Sequence, residues 1–177
     1  MAKGNRRVHL LRGALGVLTL CLAGCGFHPL YAPAGGTPAD ASLSRVYVDV
    51  IGDRSGQLLR QALQARLDGS GSASAKTFEL AVSYSISQEG ISITQDNSVT
   101  RLRSVGRANW VLKTVTAPPR TVRSGSVRAL DGYNQINEQY FYSTLENEAV
   151  ERRLAETLAD QITQQLAVYF RQHPERT

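Results

Sequence analysis

The sequence predicts an α+β domain: a four-stranded, mostly antiparallel or mixed sheet with two helices packed on one face, in the order β-α-β-β-β-α. Three observations carry that prediction. Leu59, Leu63 and Leu67 repeat at helical spacing, and so do Val150, Leu154, Leu158, Ile162, Leu166 and Phe170. Residues 76–87 and 99–115 instead alternate apolar and polar side chains, as strands with one buried and one wet face do. Short turn signals join the later strands, which makes them antiparallel neighbours.

The chain opens with an address. Lys3, Arg6, Arg7 and Arg12 form a positive n-region, and residues 14–22 (ALGVLTLCL) form a short apolar h-region. The apolar run is about half the roughly 20 residues a transmembrane helix needs. It ends in Leu22-Ala23-Gly24-Cys25, a lipobox. Small residues there let a signal peptidase reach the backbone, and the Cys25 thiol is the nucleophile that takes a diacylglycerol. Residues 1–24 are therefore expected to be a cleaved signal peptide. Cys25 is expected to become the first residue, carrying covalent N-acyl and S-diacylglycerol groups. Residues 25–44 follow as a flexible tether, because APAGGTPADASLS is rich in Pro, Gly, Ala and Ser and lacks aromatics. Multiple acyl chains anchor firmly where one binds only marginally.

Processing changes the charge argument. The full chain carries 20 Lys+Arg and 15 Asp+Glu, a formal +5. The signal holds four of the bases and none of the acids, so the mature part has 16 against 15 and a formal +1. The basic character belongs largely to the signal and gives no argument for nucleic acid. Cys21 leaves with the signal and Cys25 is acylated, so no thiol is left for a disulfide, a metal site or a nucleophile.

The folded domain is assigned to residues 45–171, with 172–177 as a C-terminal fringe. Residues 45–51 alternate as a first strand (Val46, Val48, Val50). Gly52 to Gly56 turn the chain, with Asp53 or Ser55 as cap of a helix over 57–67. Residues 68–75 (DGSGSASA) are a loop, and lack the Gly-Lys-Ser/Thr ending of a phosphate loop. The second strand places Phe78, Leu80, Val82, Tyr84 and Ile86 on one side, with a bulge at 88–90 and continuation through Ile91 and Ile93. Residues 95–97 turn into the third strand, whose even positions hold Leu102, Gly106, Ala108, Trp110 and Leu112. Pro118 and Pro119 end it. A fourth strand runs over 121–130 and a turn over 131–134. Ser143 and Glu146 have capping-box spacing, so a helix of about 25 residues is expected to start there and stop before Pro174. Glu146, Glu148 and Glu151 suit its positive end.

Enzyme chemistry is not expected. His28 and His173 are the histidines of the mature part, one in the tether and one in the fringe, and neither sits in a triad or metal-ligand pattern. No cofactor motif is present. The sharpest positive feature is the third strand's odd parity: Arg101, Arg103, Arg107 and Lys113 share one face with no acid among them. A solvated strand face is the bland explanation. An anion site is the sharper one, because guanidinium matches phosphate or carboxylate bidentately. Arg120, Arg123 and Arg128 extend the patch if the register allows.

A lipobox running into Cys25-Gly-Phe-His-Pro-Leu-Tyr31, joined to this element order, resembles the lipopolysaccharide-assembly lipoprotein LptE family over about residues 25–171. The resemblance implies an outer-membrane lipoprotein, lipid-anchored, with its domain on the periplasmic side or in a barrel lumen. It implies a plug-and-barrel complex with an LptD-like β-barrel, assistance in assembling lipopolysaccharide at the outer leaflet, and lipopolysaccharide binding through basic residues. On that resemblance Arg101, Arg103, Arg107 and Lys113 become candidate lipopolysaccharide contacts, and residues 88–98 and 131–142 candidate barrel contacts. Gly26, in place of the Asp that retains many enterobacterial lipoproteins in the inner membrane, agrees with export to the outer membrane. Enterobacterial members carry a Lys just before the final helix; residues 142–147 (YSTLEN) have no base. Another outer-membrane lipoprotein adaptor, such as an auxiliary subunit of a lipid transporter, is the alternative.

Overall fold

The computed structural model describes residues 38–67, 75–93, 99–134 and 140–173. The signal peptide, Cys25, His28 and the turn at 95–97 lie outside these residues. The elements are α1 (Pro38–Leu43), β1 (Val46–Val48), α2 (Asp53–Leu67), β2 (Phe78–Ile93), β3 (Val99–Thr114), β4 (Thr121–Asn134) and α3 (Tyr140–Gln172). The four strands lie in the order β1-β2-β3-β4. β1 pairs with β2 in parallel, across the α2 connection, and the other two pairings are antiparallel. The sheet is mixed, as the α+β reading requires.

Register explains the core. Leu80 stands opposite Leu112, Val82 opposite Trp110, and Tyr84 opposite Ala108. On the far side Trp110 faces Gly125, and Ala108 faces Val127. Directly opposed residues point the same way, so one face of the sheet collects the apolar parity of every strand. Both long helices cover it. Leu59 and Leu63 of α2 and Leu158, Ile162 and Leu166 of α3 are fully buried there, with Trp110 1% exposed. At α3's C-terminal end Phe170 tilts against Phe78, with ring centroids 5.3 Å apart. The large Trp110 indole fits because Gly125 has no Cβ: one placed there would come within 2.7 Å of Trp110 Cζ2 and 2.9 Å of Gln165 Oε1. The indole N–H donates to that same Gln165 oxygen at 3.1 Å.

Ion pairs tie the helices to each other and to β4. Arg66 of α2 grips Asp160 of α3 through two nitrogens, and Arg54 meets Glu148 at 3.0 Å. Arg153 of α3 reaches Asp131 of β4 at 2.6 Å.

The structure moves five boundaries. α2 starts at Asp53, so most of the turn expected at 52–56 is helix and Ser55 lies inside it. The tether segment ends sooner than its composition suggests: α1 forms at Pro38–Leu43, with Leu43 only 3% exposed. Pro38 fits a first helical turn because it has no N–H to satisfy there. Lys76 donates to the Ser44 carbonyl at 2.8 Å, holding the junction with β1. β1 ends at Val48 rather than running to 51. The Asp49 N–H still bonds the Leu80 carbonyl at 3.0 Å, but then Val50 turns outward, 71% exposed, and Ile51 turns in. β4 continues through Asn134, so residues 131–134 are strand and not a turn. Finally, α3 starts at Tyr140, which puts Ser143 inside the helix and removes it as the cap. The segment at 142–147 is therefore helical. The residues that precede the helix, 135–139 (QINEQ), also lack a base.

Candidate functional site

The face of the sheet opposite the helices is hydrophilic for a reason visible in each strand. β2 sends Ser83, Ser85, Ser87 and Glu89 outward, β3 sends Arg101, Arg103, Arg107 and Asn109, and β4 sends Ser124, Ser126, Arg128 and Leu130. All of these residues are exposed. The predicted parity of Arg101, Arg103, Arg107 and Lys113 therefore holds, but the four residues do not form one site. Lys113 is six residues from Arg107, about 20 Å along a strand at about 3.4 Å per residue. It also stands opposite Glu79, which supplies a local countercharge.

The cluster sits at the other end of β3. Arg107 is directly opposite Arg128. Like charges so placed repel, and each pair of this kind costs a sheet some stability. Arg107 Nη1 donates to Ser87 Oγ at 3.4 Å. Arg103 is opposite Glu89 and pairs with it at 2.5 Å, both side chains about half exposed. The hydrogen bond from Arg103, and then its charge, hold the Glu89 carboxyl below the usual carboxylate range, with Arg107 and Arg128 adding to the effect. Three guanidiniums and one carboxylate thus share the centre of a patch spanning three strands, with exposed Arg101 at its edge, two residues from Arg103 on β3. Val105 lies in the midst of it, fully buried, with Leu130 opposite it and 56% exposed. The patch combines cations with an accessible apolar side chain.

Glu89 is the member that reading the sequence did not assign, and Arg128 the one it offered only if the register allowed. Glu89 was legible in principle, because it continues the outward parity of Ser83, Ser85 and Ser87. Arg128 required the β3–β4 register, which includes an irregularity between Leu112 and Lys113. Arg123 does not join the patch. It lines an open groove of about 440 Å³ on the helix side, between β4 and α3, with Trp110, Gln161, Gln164, Gln165 and Val168. Arg120 precedes β4. Of the candidate barrel contacts, residues 88–93 are strand, 131–134 are strand and 140–142 are helix. Residues 94–98 and 135–139 lie outside the described residues. No helix among the described residues is long and apolar enough to cross a membrane.

The fold is shared with solved lipoprotein structures. A candidate lipoprotein from Caulobacter crescentus superposes with a TM-score of 0.59 at 18% identity, covering 74% of this chain and 94% of that one. The rare lipoprotein B of Shewanella oneidensis gives 0.53 at 13% identity, covering 70% and 93%. A minor lipoprotein of Acinetobacter baumannii gives 0.51 at 15%, covering 70% and 90%. At these identities the likeness speaks for the fold. No curated protein sequence matches the chain. The family model described as "LptE: Lipopolysaccharide-assembly" matches residues 43–166, more than half of the chain and every strand of the sheet. The chain belongs to the LptE lipopolysaccharide-assembly family.

Proposed function

We propose that this protein is an outer-membrane lipoprotein, anchored through acylated Cys25, that forms a plug-and-barrel complex with an LptD-like β-barrel. In that complex it helps assemble lipopolysaccharide at the outer leaflet and binds lipopolysaccharide without enzymatic chemistry. The observation that carries this reading is the family match over residues 43–166. The outer face of the sheet supports the binding part. Arg101, Arg103 and Arg107 with Arg128 offer guanidiniums to phosphates and acidic sugars, and Leu130 offers apolar surface to an amphiphile. Lys113 contributes at most a distant charge. Among the described residues both long helices lie on the other face, which leaves this one open to a ligand or a lumen wall.

Gentle detergent extraction of outer membranes carrying the tagged full chain tests the partner. A roughly equimolar large β-barrel should co-purify, and the protein should carry its lipid at Cys25 by mass spectrometry. Recovery with an inner-membrane transporter would instead assign it to the adaptor class. The ligand is tested separately. Arg101→Gln with Arg103→Gln should weaken binding of purified lipopolysaccharide while circular dichroism stays unchanged, and an unchanged affinity would remove these residues from the site.

A further inference from the structure

β4 is the last strand of the sheet, and among the described residues no strand pairs with its outer side over Thr121–Asn134. β2 beyond Leu80 is also left unpaired by the short β1, but a groove accompanies only β4 among the described residues. An open edge presents backbone N–H and C=O groups to another strand, and proteins commonly defend it with charge. Here charge is missing midway along the edge, where residues 124–127 read Ser-Gly-Ser-Val. The flank of α3 above them is uncharged too. Residues 161–170 (QITQQLAVYF) hold no acid or base, although Gln164, Gln165 and Val168 are exposed. Depletion of charge on accessible surface is a mark of an interface core. These two uncharged surfaces meet in the groove of about 440 Å³. Gln165 stands directly over the edge strand, its Oε1 2.9 Å from where a Cβ on Gly125 would be. A fifth strand beside β4 would send alternate side chains into the space flanked by Gln161, Gln164 and Val168. Arg123 is the cation of that groove. It lies opposite Leu112 on the helix side, is exposed, and makes no ion pair among the described residues.

We infer that β4 is a docking edge for an extended strand of another polypeptide, which continues the sheet and sets an acidic side chain against Arg123. Two demands identify the occupant: a backbone free to pair, and a carboxylate on the side that faces α3. Main-chain pairing supplies affinity in such strand addition, and pockets for alternate side chains supply specificity. Each glutamine amide of the groove carries donors and an acceptor for polar side chains on the same side, and Val168 adds apolar contact. Charge decides against a second copy of this chain. Pairing β4 with another β4 would bring Arg123 and Arg128 of both copies to one seam, and the nearby carboxylate, Asp131, is already held by Arg153 at 2.6 Å. Neither demand depends on the outer sheet face being a ligand site.

The probe is a short synthetic peptide of alternating Thr and Val with one central Glu, added to the full lipoprotein in detergent and followed by hydrogen exchange. Amides of β4 should exchange about tenfold more slowly when the peptide is at about ten times its Kd. N-methylation of alternate peptide amides should abolish binding when it blocks one edge of the peptide and preserve it when it blocks the other. Replacing the peptide's Glu by Lys should weaken binding about fivefold, as loss of an exposed ion pair does at most. Arg123→Glu should weaken the Glu peptide and restore the Lys peptide, with circular dichroism unchanged. No slowing in β4 at about 1 mM peptide, a bound too weak for a specific contact, would overturn the docking edge. Equal binding by the two N-methylated peptides would overturn it as well, because the groove would then hold the peptide without pairing. Protection of β4 that rises with protein concentration in the absence of peptide would give the edge to a second copy and overturn the assigned occupant.

Discussion

The two faces of β3 are built from one backbone and answer to different physics. Its even positions, Ala108, Trp110 and Leu112, are at most 1% exposed and lie under both long helices. Its odd positions include Arg101, Arg103, Arg107 and Asn109, all exposed. The helix side is governed by shape: Gly106 and Gly125 are there because a Cβ would press on Leu158 at 3.1 Å or on Trp110 at 2.7 Å. The outer side is governed by charge, and it even tolerates two arginines directly opposed. The comparison teaches that stability and the proposed ligand recognition can be separated by parity alone. Changes on one side should move unfolding, and changes on the other should move binding.

The largest effect is expected at Trp110. Trp110→Ala empties the largest buried side chain and orphans the Gln165 acceptor, and should cost about 3–5 kcal/mol in urea unfolding. Gly125→Ala follows, at about 1–3 kcal/mol, because the added methyl meets the indole. The two should not add. With the indole gone the methyl at 125 has room, so in the Trp110→Ala background its cost should largely vanish. Additive costs would mean that Gly125 is needed for its backbone and not for the indole.

Much of this helix-side architecture could be read directly from the sequence, since burial writes itself into periodicity. The Leu59/Leu63/Leu67 stripe, the Val150-to-Phe170 stripe and the alternation from Phe78 to Ile86 each state which way a residue faces. Boundaries were harder, because they depend on tertiary contacts. Leu43 is the one large apolar residue near the end of the tether segment, and its burial beside α3 organises α1. Ser143 fits a capping box, but the helix begins earlier at Tyr140. The arginine parity was legible and the site was not. Alternation says that Arg107 points outward, whereas only the pairing between strands says that Arg128 lies opposite it and Glu89 opposite Arg103.

A smaller effect should distinguish a polar seam within the helix side. Burial, and secondarily the charge of Glu151, push the Tyr84 hydroxyl from 10.0 up to about 12. Its oxygen has no hydrogen-bond partner among the described residues. A raised pKa in the folded state means that the unfolded chain loses this proton first as pH climbs. The stabilising contribution is therefore complete below pH 10 and is lost between about 10 and 12. Tyr84→Phe should leave stability near neutral pH almost unchanged and should flatten the alkaline decline, measured as urea midpoints from pH 8 to 12. Tyr133, also raised by burial, remains in both proteins and cancels in the difference. An equally steep decline in Tyr84→Phe would show that this hydroxyl stays in contact with solvent.

The smallest effect on stability should come from the outer face, and its smallness is the point. Arg107→Gln and Arg128→Gln, singly or together, should change unfolding by no more than about 0.5 kcal/mol, as surface substitutions usually do. The sign is predictable. Each single change removes a like-charge pair across adjacent strands, so it should stabilise slightly at low salt. That gain should disappear near 1 M salt, where the screening length falls to about 3 Å. The second substitution should then add nothing, because the repulsion is already gone. Lipopolysaccharide binding should follow the opposite course, weakening with each arginine removed. A double variant that is distinctly less stable than wild type would break the separation of the two faces, since these arginines would then be holding the sheet together instead of standing on it.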